Sequence, residues 1–271
     1  MSSQEGKIPA TLTVLTKNNA KTLEKTLESS KDFDDIVVCD GGSTDATLDI
    51  AKRYGANIIT QDPKFLEDGK IFDFGGVRNQ TYMAARHNWI FWLDSDEVAG
   101  PELIQTIREV IRERGENGEG AFWVNRKYVL SGTIIDCAST YPNRQMRFFA
   151  KNSTEQFIKR VHERIKLKPG VKAEILNKGF MYLPTEDDIP EIRRKWDYQI
   201  AVAVEQAGEL TLWQFIHACF DNAKISTLWF LRMIRNYLFC PGTKMPFRFE
   251  MERHRFHIKL LQAMWKVTRL R

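Results

Sequence analysis

A chain of 271 residues that is 43% hydrophobic and 28% charged has the composition of a folded protein, large enough for one substantial domain or for a domain of about 180 residues with an appendage. Its cysteines, Cys39, Cys137, Cys219 and Cys240, form no CxxC pair, which argues against a zinc knuckle or a disulfide framework and for reduced thiols in a cytosolic protein, and the opening Met1–Lys7 lacks the regions of a secretory signal. The net charge of +5 is unevenly spread: Asn222 to Arg271 holds eleven Lys or Arg against Glu250 and Glu252, so the last 50 residues carry +9 and the first 221 carry −4, a basic tail suited to a membrane surface or a nucleic acid.

In chain order, Ala10 to Leu15 reads as a short buried strand, followed by a helix in which Leu23 and Leu27 recur at i, i+4. Asp35 to Cys39 is a second strand, ending in the turn Asp40-Gly-Gly-Ser-Thr-Asp45, whose polar side chains can cap a helix running to Tyr54. Asn57 to Thr60 is a third strand, Gln61 to Asp73 a polar loop, and Phe74 to His87 a helix. Trp89-Ile-Phe-Trp-Leu93 follows, an apolar run expected of a strand buried on both faces. It stops at Asp94-Ser-Asp96. The alternation of strands and helices implies a parallel, doubly wound α/β sheet, and Pro101 starts a further helix to about Arg114.

Beyond Ala121 the pattern changes to strands at Ala121–Leu130, Thr133–Ile135, Arg147–Ala150 and Val171–Leu176, expected as antiparallel additions that make the sheet mixed. From Asp188 it becomes helical. One helix carries Ile192, Trp196, Ile200 and Val204 to a stop at Gly208; others span Leu212 to Phe239 and about Phe247 to Leu270.

Asp94 and Asp96 stand where ligands bind in open α/β sheets, at the carboxyl end of a strand, and residues two apart in an extended segment point the same way. Both carboxylates can therefore face one Mg²⁺ or Mn²⁺, although Asp is also a common turn and cap residue.

Together with Thr16-Lys-Asn18, Asp40-Gly-Gly-Ser-Thr-Asp-Ala-Thr47 and Gly76-Val-Arg-Asn79, this pair resembles the ordered motifs of family 2 glycosyltransferases with the GT-A fold, over roughly residues 8 to 165. Among bacterial members the chain is most similar to the lipopolysaccharide core β-glucosyltransferase type. With the helical pattern and basic charge of the C-terminal part, the expected division is a GT-A catalytic domain at residues 1–185 and a basic helical region at 186–271. The resemblance also implies a nucleotide-sugar donor, a UDP-sugar first, a divalent metal and inversion at the anomeric carbon.

Carried onto this chain, the resemblance puts Thr16 and Asn18 at the nucleoside, Asp40 at the base or ribose, and Arg78 and Asp94 at the nucleotide sugar, with Asp94, Asp96 and His162 as metal ligands. Asp40 alternatively caps its own turn, Arg78 alternatively pairs with Asp73, and His162 orients a neighbour or simply packs. Transfer needs a base for the acceptor hydroxyl, and Glu163 in Lys159-Arg-Val-His-Glu-Arg164 is the candidate. Where many relatives carry a later His, this chain reads Phe180-Met-Tyr-Leu-Pro184, so the third metal ligand stays open.

Aromatic and basic residues mix in the C-terminal helices, and charges interrupt every stretch long enough to span a bilayer. Two arrangements fit: a peripheral lean against anionic lipid at the inner face of the cytoplasmic membrane, or a helical subdomain with a solvated basic face. The acceptor expected is a glycan or lipid-linked hydroxyl, and nucleic acid is not the favoured partner. A sugar-nucleotide nucleotidyltransferase would need a Gly-rich loop where Thr16-Lys-Asn-Asn-Ala20 stands. A basic binding module is the remaining alternative.

Overall fold

The computed structural model describes residues 6–160 and 163–269, Gln206 by its backbone alone. In chain order the elements are β1 (Ile8–Thr16), α1 (Ala20–Glu28), β2 (Phe33–Asp40), α2 (Thr47–Arg53), β3 (Asn57–Thr60), β4 (Leu66–Glu67), β5 (Lys70–Ile71), α3 (Phe74–Ala84), β6 (Trp89–Asp94), β7 (Val98–Ala99) and α4 (Pro101–Arg114). There follow β8 (Ala121–Leu130), β9 (Thr133–Ile134), β10 (Asn143–Ala150), β11 (Thr154–Ile158), β12 (Arg164–Leu167), β13 (Glu174–Ile175), β14 (Met181–Thr185), α5 (Ile189–Ala207), β15 (Leu210–Thr211), α6 (Leu212–Phe239), α7 (Phe247–Lys266) and β16 (Thr268–Arg269).

Two compact units emerge: Met1–Arg126 with Asn143–Leu183, and Lys127–Pro142 with Pro184–Arg271. Within the second unit, Lys127–Pro142 packs with the helices, Leu130, Ile135 and Ala138 joining Ile192 and Phe249.

The main sheet runs β3-β2-β1-β6-β10-β8-β14-β7. Its first four strands are parallel, and β10 joins β6 and β8 antiparallel. This is the doubly wound, mixed α/β sheet expected from the sequence. The chain steps outward from β1 to β3 and then returns to the other side of β1, so the topological switch lies between β1 and β6.

β6 is buried because every side chain in its apolar run meets a covered face. Trp89, Phe91 and Leu93 join Leu23 and Leu27 of α1 and Leu103 and Ile107 of α4 in one core cluster. Ile90 and Trp92 join Ala85, Phe149 and Phe157 in another. Strand alternation thus splits the run between two layers, and each such side chain contributes roughly 1.5–3 kcal/mol on burial. Helix α4 begins at Pro101 and ends where Gly115 adopts φ +82°, a left-handed conformation that suits glycine.

The second unit has its own core of Leu130, Ile135, Ala138, Ile192, Met245 and Phe249. Glu250 is buried against the Ser139 backbone N–H at 2.8 Å and its hydroxyl at 2.5 Å. Cys137 and Cys240 form a disulfide across 103 residues of sequence, correcting the expectation of separate reduced thiols. No local spacing motif signals a pair so far apart.

Candidate active site

At the end of β6 the chain turns sharply: the Glu97 N–H donates to the Asp94 carbonyl at 3.0 Å, and the Asp94 N–H donates to Glu97 Oε2 at 2.9 Å. The turn buries Glu97 and leaves Asp96 exposed. Trp92 and Asp94 share a face of the strand. Above that face lie two guanidiniums, Arg78 from α3 and Arg147 from β10, at 3.9 and 3.5 Å from the Trp92 ring.

Arg147 donates through one nitrogen to Asp94 Oδ2 at 2.9 Å and to Glu97 Oε1 at 2.8 Å. Arg78 donates to Asp94 Oδ1 and, through Nε, to Glu163 Oε1 at 3.4 Å. Both arginines are buried, 3% and 1% exposed, so the carboxylates around them are what make their burial tolerable. Burial opposes ionisation of Asp94, but Arg147 and Arg78 outweigh it and hold the carboxyl well below the usual range. For Glu97 burial wins over the pull of Arg147, and with Asp94 adding repulsion its carboxyl is pushed up to about 7.

The Gly75-Gly76-Val-Arg-Asn79 stretch has a physical reason at each position. A Cβ on Gly75 would meet the Lys159 carbonyl oxygen at 2.5 Å, and one on Gly76 would meet the Phe65 ring at 2.3 Å. Asp73 caps the helix by accepting from the Gly76 N–H at 2.8 Å, while Arg78 pairs with Asp94 and Glu163. Val77 is fully buried. Asn79 exchanges two hydrogen bonds with the backbone of Phe157, at 3.0 and 2.7 Å, fixing β11 to α3. The Phe74 N–H reaches the Arg160 carbonyl at 2.9 Å, so Arg160 is anchored on the start of α3.

On the other side of the switch, Thr16 is paired in register with Asp40, and Leu15 with Asp94. Asp40 is 5% exposed and closes its own turn, accepting from the N–H groups of Gly42 and Ser43 at 2.8 and 2.9 Å and from the Ser43 hydroxyl at 2.5 Å. Asn18, with φ 53°, accepts from the Thr44 N–H at 2.8 Å and so ties the loop after β1 to the loop after β2. The Thr16 hydroxyl is buried with no hydrogen-bond partner among the described residues.

The fold therefore gathers Thr16, Asp40 and Asp94 at neighbouring strand ends and links Asp94 to Arg78 and Glu163. His162 lies outside the described residues. Among the described residues no three His, Cys, Asp or Glu side chains cluster as a metal site. Arg147 and Glu97 were not singled out from sequence. For Arg147 the signal was a charge beside an apolar run: it precedes Phe148-Phe-Ala150, and the pairing of β10 with β8 shifts between Met146 and Phe148, an irregularity at Arg147 of the kind that re-aims a side chain.

A model of the Glycosyl transferase family 2 matches residues 11–167. The TPR repeat-containing protein Synpcc7942_0270 of Synechococcus elongatus is 34% identical over 125 residues, 45% of this chain and 28% of that protein. An uncharacterized glycosyltransferase of Rickettsia typhi, RT0209, is 24% identical over 241 residues, 83% of this chain and 76% of that protein. The crystal structure of S. aureus TarS 1-349 in complex with UDP-GlcNAc aligns with a TM-score of 0.45 at 14% identity, over 96% of this chain and 73% of that one. The chain spans 28% of the length of the first of these relatives, well under two thirds.

Proposed function

The chain belongs to glycosyl transferase family 2 and has the GT-A fold, and we propose that it moves a hexosyl group from a UDP-sugar to a hydroxyl of a glycan or lipid-linked acceptor, with inversion at the anomeric carbon. The observation that carries this proposal is the single buried arginine, Arg78, that contacts both Asp94 at the end of β6 and Glu163. It couples the proposed donor side of the site to the proposed acceptor side.

In this mechanism the nucleoside lies over Thr16 and Asn18, with Asp40 holding the Gly41-Gly42 turn beneath it. The diphosphate meets the end of β6. Two carboxylates two residues apart are a hard-oxygen donor set that fits Mg²⁺ or Mn²⁺ in part. Asp96, exposed at the turn, is the carboxylate we assign as direct ligand, with Asp94, which accepts from two guanidiniums, behind it. A cation held there would offset charge on the departing diphosphate, its shell completed by phosphate oxygens and water.

Glu163 accepts the proton of the acceptor hydroxyl as that oxygen bonds to the anomeric carbon and the bond from that carbon to the diphosphate oxygen breaks. The expected envelope acceptor follows the resemblance to the lipopolysaccharide core β-glucosyltransferase type.

The test is a transfer assay over a panel of UDP-hexoses and bacterial envelope glycans, with the anomeric configuration of the product read by NMR. A β-linked product from an α-linked donor is the expected result. Retention would refute the role of Glu163 as base, and release of UMP in place of UDP would refute glycosyl transfer itself.

A further inference from the structure

Helix α6 is apolar on two sides. One side packs into the second unit, where Met233 and Asn236 are buried. On the opposite side Trp213, Phe220, Leu231 and Leu238 are 67%, 71%, 59% and 68% exposed. Spacings of seven, eleven and seven residues keep these four on one stripe of an α-helix, about 38 Å long at 1.5 Å per residue. Phe230 and Ile234, 45% and 41% exposed, widen the stripe toward α7. There Tyr237 meets Phe247 at 6.5 Å between ring centroids, and Phe247 is itself 56% exposed.

The exposed charge beside this stripe is mainly basic, with Asp221 the exposed acidic residue on α6. From Asn222 to Arg269 the acidic residues are Glu250 and Glu252, and both are buried, at 2% and 7% exposure. Glu250 is held by Ser139, and Glu252 by the Arg193 guanidinium. Lys224, Arg235, Arg248 and Arg255 are exposed. The surface of this segment is therefore apolar and cationic, with its negative charge turned inward.

We propose that the α6–α7 face is a docking surface for a bilayer containing anionic phospholipid, with α6 lying in the plane of the interface. An interfacial helix needs large apolar side chains on the buried side and Lys or Arg at headgroup level, and this face supplies both. No helix among the described residues is long and apolar enough to cross a membrane, which fits a helix that lies on the bilayer. A second copy of the chain is a poor occupant, because it would bring an equally cationic segment against this one. A nucleic acid would leave the Trp, Phe and Leu stripe uncovered. The assignment does not depend on the sugar donor or on Glu163.

The full chain is to be co-sedimented with phosphatidylcholine vesicles and with phosphatidylcholine–phosphatidylglycerol vesicles, across a salt series. At least about tenfold tighter binding to the mixed vesicles is expected, weakening as salt screens the headgroups. Leu231→Glu with Leu238→Glu should reduce that binding about tenfold or more while leaving the melting temperature and UDP binding unchanged. Lys224→Glu with Arg235→Glu should do the same through charge alone and guards against misfolding of the first variant. Equal or absent binding to both vesicle types, or full binding by both variants, overturns the proposal. So does concentration-dependent dimerisation abolished by the stripe variant, which gives the face to a second copy, and so does binding of RNA in preference to mixed vesicles.

Discussion

Arg147 donates a hydrogen bond of 2.9 Å to the Asp94 carboxylate from a position that is 1% exposed. The same guanidinium holds the buried Glu97, so one side chain organises two of the three carboxylates of the turn after β6. Removing one partner of a buried ionic pair costs about 3–5 kcal/mol, because the charge left behind has neither water nor a counterion. Urea denaturation of Arg147→Met should show a loss in that range. Arg147→Lys should recover only part, since an ammonium cannot reproduce the stacking of the planar guanidinium on the Trp92 ring at 3.5 Å. A loss below about 1 kcal/mol in Arg147→Met would contradict a supporting role for this arginine.

Gly75 joins backbone packing to the proposed chemistry. Its missing Cβ leaves room for the Lys159 carbonyl, four residues before Glu163. Gly75→Ala must push that carbonyl away, an overpacking cost of about 1–3 kcal/mol. Turnover should fall while UDP affinity stays within about threefold, because the displaced segment carries Glu163 and not Asp94. Steady-state kinetics beside calorimetry checks this. Unchanged turnover would separate Glu163 from the start of α3.

Glu163→Gln keeps the shape of the side chain and removes its capacity to take a proton. Transfer should drop by about 10²–10⁴-fold, the range for loss of a general base, with UDP-sugar binding retained. Near-normal transfer would remove Glu163 as the base.

Burial, with Asp40 adding to it and Arg78 opposing, pushes the Cys39 thiol up to about 12. Its thiolate fraction at pH 8 is then about one part in 10⁴, and the thiolate is the reactive form. Iodoacetamide followed by mass spectrometry should label the half-buried Cys219 and leave Cys39 untouched in the native protein. Cys137 and Cys240 should label only after reduction. Rapid native labelling of Cys39 would contradict its place in the core.

The strand at Trp89–Leu93 was legible because five consecutive large apolar residues have few homes other than a strand covered on both faces. The helices at Pro101–Arg114 and Leu212–Phe239 were legible from their stop and start signals. Two-residue strands such as Val98–Ala99 were not, since alternation needs several residues to appear. The strand positions of Thr16, Asp40 and Asp94 could be read, but not which groups would meet them. Asp73 looked like the natural partner of Arg78 and instead caps its own helix, while Arg78 reaches Asp94, 16 residues on, and Glu163, 85 residues on. Arg147 is 53 residues from Asp94, a pairing set by the antiparallel placement of β10 and by no local pattern.

In the proposed mechanism the exposed carboxylate of Asp96 binds a divalent cation together with a nucleoside diphosphate. Calorimetric titration of UDP into wild type and Asp96→Ala, each with and without Mn²⁺, tests it most directly. Wild type should bind UDP at least about tenfold more tightly with Mn²⁺, and Asp96→Ala should lose that gain while its stability without ligand stays within about 0.5 kcal/mol. Equal UDP affinity with and without Mn²⁺ in wild type, or a full Mn²⁺ effect in Asp96→Ala, would contradict the account.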